Sequence, residues 1–178
     1  MTRLPLPTRE SLPEALQGRW DRASARGPIL NVQRMFMTNP EIEGRNLAWE
    51  HCGLAPRQRE LVILRAAYRQ QSRYEWHQHV RIARAAGLTD VEIDATRNWE
   101  TATCFSPAER SLLAWVDALA DPGQPTDEAY VAFSAGREPA EIFGVTYLAT
   151  RYFALARIMS AFDLQTEEPF VGWAVGGE

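Results

Sequence analysis

Ser72, Glu75 and His79 combine a hydroxyl, a carboxyl and an imidazole at spacings that would place all three on one face of a helix. With about 3.6 residues per turn, Glu75 and His79 lie one turn apart, and their Cβ atoms are about 5–6 Å from each other. The same face carries Trp76 and Ala83, which predicts that it packs and loses water. Loss of water shifts and couples the pKa values of two such groups, as a general acid and a general base require. The alternative is a Glu–His pair that only satisfies itself in the core.

Four neighbouring side chains could complete a site around His79. Glu60 lies in the first turn of the preceding predicted helix, where it could orient His79 or form a salt bridge with nearby arginines. Ser72 could donate a hydrogen bond to a substrate or cap the helix that follows it. Trp76 and Tyr74 could line a pocket, although packing in the core is the simpler role for both.

Neither the histidines nor the basic residues indicate a cofactor. His77 and His79 are two positions apart, so on a helix they point about 200° away from each other and cannot chelate one ion. All 19 basic residues are arginine, which excludes Schiff-base, pyridoxal and P-loop chemistry that depends on a lysine side chain. We therefore expect neither a metal nor another cofactor.

Composition predicts a globular protein of one domain. The chain has 178 residues, of which 46% are hydrophobic, enough for a sizeable core. It has no run of 18 apolar residues and no secretory signal, so we expect a cytoplasmic protein without a membrane span. Cys52 and Cys104 form no CxxC motif, and each is expected to be a small buried apolar residue.

Charge is divided unevenly along the chain. Residues 1–97 carry 15 arginines and 11 acidic residues (net +4), whereas residues 98–178 carry 4 arginines and 12 acidic residues (net −8). The acidic total and the mixed signs argue against nucleic acid as a partner. The basic half could attract a small anionic substrate or meet the acidic half of another subunit. Arg65, Arg151 and Arg157, on apolar helices, could bind a carboxylate or form salt bridges.

Helical patterns follow one another along the chain without a convincing strand. They predict helices over residues 29–38, 40–52, 56–71, 72–86, 90–98, 107–120, 126–135 and 139–163. Short linkers favour antiparallel neighbours, so the predicted fold is an all-α bundle. We divide it into an N-terminal arm and leader (1–27), a core (28–163) and a C-terminal tail (164–178). The last helix is apolar on nearly all faces, which predicts a homo-oligomer.

The order Glu60, eleven residues, Ser72, two residues, Glu75, three residues, His79 resembles the motif of the carboxymuconolactone decarboxylase and AhpD-like superfamily. The stretch LAPRQRELVILRAAYRQQSRYEWHQHVRIARAAGLTDVEI is similar to the core helical hairpin of that superfamily. The similarity extends to the leader GPILNVQRMFMTNPEI and to the segments FSPAERSLLAWVDAL and RYFALARIMSAFDL. This resemblance implies an AhpD-like helical bundle with a core antiparallel hairpin, assembled as a trimer or hexamer.

Two branches of the superfamily differ at the positions of Ser72 and Glu75. The alkylhydroperoxidase branch has two cysteines there, one that attacks peroxide and one that resolves the sulfenic acid, and neither residue present here can do this. In the decarboxylase branch, Glu with His four residues on is common, as Glu75 and His79 stand here. The resemblance therefore implies a cofactor-independent, lyase-like acid–base enzyme that acts on a small unsaturated carboxylic acid or lactone.

That function assigns catalysis to Glu75, His79 and Glu60, and substrate binding to Ser72, Trp76 and Tyr74. Decarboxylation would need donors that stabilise a dienolate oxygen and an acid that protonates carbon. Two alternatives remain. One is an AhpD-like peroxidase, which the missing CxxC disfavours. The other is a non-catalytic ligand-binding or assembly protein on the same scaffold.

Overall fold

The described part of the chain is all helical. The computed structural model describes residues 6–37 and 52–176, which contain no strand. The helices are α1 (Glu14–Ser24), α2 (Asn31–Met37), α3 (Pro56–Arg69), α4 (Arg73–Ala85), α5 (Asp90–Ala95), α6 (Pro107–Ala120), α7 (Asp127–Ser134) and α8 (Pro139–Ala161), with a short 3₁₀ helix at Thr96–Asn98. This confirms the all-α prediction. The helix predicted over residues 40–52 lies almost entirely outside the described residues.

These residues group into two compact units. The first comprises residues 6–37 with 159–169, and the second comprises residues 52–158 with 170–176. In the first unit the start of α2 is tied to the later segment, because the Asn31 amide N–H donates to Glu167 and the Asn31 side chain donates to the Gln165 carbonyl. Residues of the predicted tail occur in both units, 164–169 in the first and 170–176 in the second.

Helices α3 and α4 form the predicted antiparallel hairpin. Four consecutive residues of α3 are fully buried, Leu61, Val62, Ile63 and Leu64, so neighbours enclose this helix on all sides. The turn closes when the Ser72 amide donates to the Ala67 carbonyl at 2.9 Å. Gln71 adopts φ 52° there, the left-handed conformation that ends many helices. The hairpin fixes how the side chains of α3 face those of α4.

One arginine joins the starts of three helices. The guanidinium of Arg57, in the first turn of α3, donates to Glu92 at 2.5 Å and to Glu109 at 2.9 Å. Glu92 and Glu109 also close the capping boxes that Thr89 and Ser106 begin at α5 and α6. The hydrogen bond from Arg57 holds the pKa of Glu92 down at about 2. The start of α3 is therefore anchored next to the turn that carries Glu60.

The segment 170–176 packs on α4 and α5. The Trp76 indole N–H donates to the Gly172 carbonyl at 2.9 Å. The amide groups of Val175 and Gly176 donate to the two carboxylate oxygens of Asp94 at 2.8 and 2.9 Å. These residues of the predicted tail therefore pack against the second unit as a half-buried to exposed segment.

Helix α8 is the longest helix, and it buries one face while its opposite face remains exposed. Phe143 is 71% exposed and stacks on Tyr147 with ring centroids 6.2 Å apart, and Ile158 is also exposed. The buried face consists of Val145, Leu148, Ala149, Tyr152 and Ala156. Phe143, Tyr147 and Ile158 thus form an apolar strip that the described residues do not cover. Within the described residues, neither α8 nor any other helix is long and apolar enough to cross a bilayer.

We expect the wild type to be an oligomer that uses this apolar strip, and Phe143→Glu to form smaller species, because a charge placed in an apolar contact between copies is costly. Size-exclusion chromatography with light scattering at micromolar concentration measures this. Val91→Glu is the matched control, since Val91 is 70% exposed on α5, away from the strip. A monomeric wild type, or equal masses for wild type and Phe143→Glu, would contradict the prediction.

Candidate active site

The second unit brings two buried carboxyl groups and one imidazole together between the hairpin helices. Glu60 lies in the second turn of α3 and is fully buried. Glu75 lies in the first turn of α4 and is 3% exposed. His79 follows one turn later on α4, and 12% of its side chain remains exposed. Carboxyl groups are rarely buried to this degree without a partner or a function.

Glu60 holds the imidazole of His79 from the facing helix. Its Oε2 lies 2.7 Å from His79 Nδ1, a charge-assisted hydrogen-bond distance. The Nε of Arg59 lies 3.6 Å from the other oxygen of Glu60. A proton on Nδ1 that points at a carboxylate leaves Nε2 as the acceptor, so Glu60 selects the tautomer of His79. The orienting contact expected for Glu60 is therefore present.

Glu75 and His79, which the helical spacing predicted to be coupled in their pKa values, make no hydrogen bond to each other. Neither carboxyl oxygen of Glu75 has a hydrogen-bond partner among the described residues, whereas His79 is bonded to Glu60. The physical reason is the antiparallel packing of α3 on α4, which presents Glu60 directly to the His79 ring. Spacing along one helix brings two Cβ atoms close but does not decide which neighbour the imidazole bonds.

Glu75 is a buried carboxyl group that lacks a charged or hydrogen-bonding partner in the described structure. Burial raises the pKa of Glu75 well above its ordinary value of 4.5, because a carboxylate there would lose its hydration. The protonated form is thereby favoured, and it carries a donor as well as an acceptor. An uncompensated group of this kind in the interior is a candidate proton donor.

A residue that the sequence did not indicate, Tyr152 of α8, completes the group. Its ring meets the His79 ring edge to face, with centroids 5.1 Å apart and planes at 87°. Tyr152 is 8% exposed, and burial together with the nearby carboxyl groups of Glu60 and Glu75 raises its pKa. Its hydroxyl therefore stays protonated. The available signal was a tyrosine on the apolar face of the last helix, which also fits ordinary core packing.

The three predicted substrate-binding residues are all buried, in different settings. Ser72 occupies the N-cap position of α4, but its side chain makes no capping hydrogen bond there. Trp76 is fully buried among apolar residues, and Gly172 satisfies its indole N–H. Tyr74 is buried at the start of α4. The contacts of Trp76 are those of a core residue, whereas Ser72 keeps its hydroxyl beside the turn that carries Glu75.

The remaining candidates lie away from this group. His77 Nδ1 accepts the Val171 amide N–H at 3.2 Å, so its ring faces the segment 170–176. Arg65 binds both carboxylate oxygens of Asp117, at 2.6 and 2.7 Å, which makes it an internal salt bridge. Arg157 is exposed. In residues 6–37 and 52–176 no three His, Cys, Asp or Glu side chains are grouped so as to hold a metal ion.

The two cysteines differ from each other. Cys52 is buried, and its backbone lies against Gly144 of α8, where a Cβ would come within 2.6 Å of the Cys52 carbonyl oxygen. Cys104 is exposed, so the expectation that both thiols are buried is wrong for this one. Cys104 lies in the loop before α6, where no helix encloses it. Partial desolvation raises the pKa of its thiol, which opposes formation of a reactive thiolate.

Known proteins resemble the chain in sequence and in fold. A model of the carboxymuconolactone decarboxylase family matches residues 40–118. A protein of Ralstonia eutropha JMP134, described as an alkylhydroperoxidase AhpD core and an uncharacterized peroxidase-related protein, superposes with a TM-score of 0.80 at 17% identity, over 98% of this chain and 97% of that one. An uncharacterized peroxidase-related protein of Silicibacter sp. TM1040 gives 0.78 at 18% identity, over 96% and 94%.

A substituted form of the debrominase Bmp8 in complex with 2,3,4-tribromopyrrole also superposes, with a TM-score of 0.73 at 16% identity, over 94% of this chain and 92% of that one. No curated protein sequence matches the chain. At these identities the similarity to solved structures establishes the fold alone. The similarity in sequence is the match of residues 40–118 to the family model. The hairpin that bears Glu60, Glu75 and His79 lies inside that segment.

We expect Glu75→Gln to gain stability over wild type as the pH rises. The raised pKa means that the native state binds more protons than the unfolded state above about pH 4.5, so the free energy of unfolding of wild type falls with increasing pH. Each pH unit over which only the native carboxyl stays protonated costs about 1.4 kcal/mol, and glutamine does not ionise. Thermal unfolding between about pH 5 and 9 measures the difference.

Glu14→Gln serves as the control, since Glu14 is exposed on α1. Its stability relative to wild type is expected to stay constant over the same pH range. A constant difference between wild type and Glu75→Gln would show that burial does not suppress ionisation of Glu75.

Proposed function

Because the chain belongs to the carboxymuconolactone decarboxylase/AhpD-like superfamily, we propose that it is a cofactor-independent acid–base enzyme acting on a small unsaturated carboxylic acid or lactone. One observation carries this proposal. An imidazole held by a buried carboxylate at 2.7 Å lies on the same helix as a second buried carboxyl group that has no partner among the described residues. The two carboxyl groups therefore differ: one is hydrogen-bonded to the imidazole, and burial raises the pKa of the other.

His79 is the base in this proposal. Glu60 accepts the hydrogen bond from Nδ1–H, which leaves the Nε2 lone pair to take a proton from substrate or to hold an acidic group. When His79 becomes protonated, the positive charge forms next to the Glu60 carboxylate and is balanced there. Without Glu60, an imidazolium in this buried position would be unpaired.

Glu75 is the acid. In a decarboxylation the bond between carbon and the carboxylate breaks, CO₂ leaves, and the electron pair passes into the unsaturated system as a dienolate. The neutral Glu75 carboxyl then donates its proton to carbon, and solvent restores that proton afterwards. Burial suits this role, because it raises the pKa of Glu75 towards the working pH.

An anionic substrate is consistent with the charges around the group. The guanidinium groups of Arg59 and Arg151 lie close enough to Tyr152 to oppose the rise in its pKa. Positive charge is thus present beside the buried carboxyl groups. A substrate carboxylate that enters this environment is stabilised by the same arginines.

The proposal is tested with 4-carboxymuconolactone, related unsaturated acids and butenolides in heavy water. Release of CO₂ and uptake of deuterium at carbon, followed by NMR, report the two half-reactions. We expect His79→Gln, Glu75→Gln and Glu60→Gln each to lower kcat by about 10²–10⁴, since each removes a proton-transfer group or its orienting partner.

His77→Gln is the matched control, because it removes an imidazole from the same helix that faces the segment 170–176. Its turnover is expected to equal that of wild type, and helical circular dichroism should be the same in all variants. Neither CO₂ release nor deuterium uptake with any compound, or full activity of His79→Gln, would count against the acid–base function and favour a non-catalytic binding protein.

A peroxidase is the second candidate, because two solved structures with this fold are described as peroxidase-related. Against it, Ser72 and Glu75 stand at the positions of the two thiols, and neither can cycle through a sulfenic acid. Cys52 is buried and Cys104 lies in a loop with a raised thiol pKa. The likeness at under 20% identity concerns the fold, and one fold can host several chemistries.

We expect no dithiol-dependent consumption of cumene hydroperoxide above the rate of a protein-free blank. The reason is the absence of two thiols in the hairpin. Peroxide loss is measured with dithiothreitol as reductant for wild type, Cys52→Ser and Cys104→Ser. Robust turnover that one of these serine variants abolishes would reveal a thiol centre elsewhere in the chain and overturn the prediction.

A further inference from the structure

The proposed reaction creates an oxyanion, and the roles proposed for His79 and Glu75 do not stabilise it. His79 takes or holds a proton and Glu75 delivers one, so both are engaged in proton transfer. The dienolate oxygen needs a hydrogen-bond donor that keeps its own proton. We propose that the Tyr152 hydroxyl is this donor, a catalytic hydrogen-bonding group contributed by α8; this inference rests on the proposed function.

Geometry supports the assignment. The edge-to-face contact with His79, at 5.1 Å between ring centroids, places Tyr152 directly against the base of the proposed reaction. Tyr152 is 8% exposed, yet no described residue makes a hydrogen bond to its hydroxyl. Buried tyrosine hydroxyls usually have a partner. A hydroxyl beside an oriented imidazole, with no partner in residues 6–37 and 52–176, is suited to a ligand oxygen.

Packing fixes the position of this donor. Tyr152 lies on the buried face of α8, one turn after Leu148 and one turn before Ala156, both fully buried. Gly144 allows the same helix to lie directly on the backbone of Cys52. A donor held by a packed helix pays little reorganisation when an oxyanion forms, which is the condition for effective electrostatic stabilisation.

The Tyr152 hydroxyl differs from the proton-transfer groups Glu75 and His79 because its environment keeps it protonated. Burial and the carboxyl groups of Glu60 and Glu75 disfavour the phenolate, so the pKa of Tyr152 lies above its ordinary value of 10. Arg59 and Arg151 oppose this rise without cancelling it. The hydroxyl is thus a permanent donor at physiological pH and cannot act as the base.

Tyr152 and Glu75 have different roles when the electron pair of the broken bond is followed through the reaction. Loss of CO₂ sends the electron pair of the broken bond towards the conjugated carbonyl oxygen, which becomes the oxyanion. Tyr152 donates a hydrogen bond to that oxygen and retains its proton. Glu75 gives its proton to carbon, the electron pair returns from oxygen to form the new C–H bond, and the hydrogen bond from Tyr152 weakens again.

The first test uses 4-nitrophenolate as an oxyanion probe, because its visible absorbance reports the charged form and its binding needs no turnover. We expect Tyr152→Phe to weaken binding about tenfold while the aromatic ring remains in place. Tyr147→Phe is the matched control, since Tyr147 lies on the other face of the same helix, stacked on Phe143. Equal affinity of wild type and Tyr152→Phe, or no binding by wild type, would overturn the inference.

The second test separates a donor from a residue that only positions His79. Nitrogen NMR of the His79 imidazole should give the same titration in wild type and Tyr152→Phe, because the ring contact is kept, and a changed one in Tyr152→Leu. If Tyr152→Phe alters the His79 titration as Tyr152→Leu does, the hydroxyl acts through His79 and the donor role is wrong.

The two proposals fail in different ways. If wild type turns over none of the acids but Tyr152→Phe still weakens the phenolate complex, the proposed reaction is wrong and the oxyanion site stands. If wild type releases CO₂ and Tyr152→Phe has the same kcat and the same affinity for the probe, the reaction stands and Tyr152 is not its donor.

Discussion

The hydrogen bond between Glu60 and His79 is the interaction on which the candidate site depends. It joins the two hairpin helices, and it holds the Glu60 carboxyl group in a position without access to water. A buried pair of this kind costs about 3–5 kcal/mol when one partner is removed, because the other charge is left uncompensated. This hydrogen bond therefore fixes how the two hairpin helices are aligned, and it fixes the orientation of the imidazole.

Several surrounding contacts hold the two hairpin helices in this alignment. The fully buried run of α3 opposes rotation of the helix, since each side chain in a close-packed core fits its own neighbours. Arg57 fixes the start of the same helix by joining the capping boxes at α5 and α6. The turn at Gln71 sets the length of the connection to α4. Together these contacts place Glu60 opposite His79.

Local signals in the sequence predicted the helices well, because they report on the backbone close to each residue. The capping boxes at Thr89 and Ser106 gave correct helix starts, and the hairpin follows its predicted limits closely. The sequence offered Glu60 two roles, to orient His79 or to form a surface salt bridge, and could not choose between them, since a hydrogen bond between helices depends on how they pack. Tyr152 was missed for a related reason: its place beside His79 depends on α8, which the sequence connects to the hairpin through several intervening helices.

The two buried carboxyl groups differ in their hydrogen-bond partners rather than in their burial. The imidazole and Glu60 compensate each other, so this pair can carry charge in the interior. Glu75 has no such partner, and the same low polarity therefore favours its neutral form. Tyr152 is kept neutral by burial and by both carboxyl groups. Glu75 thus places a carboxyl proton in an environment that retains it, one helical turn before an imidazole that is hydrogen-bonded to a carboxyl group of its own.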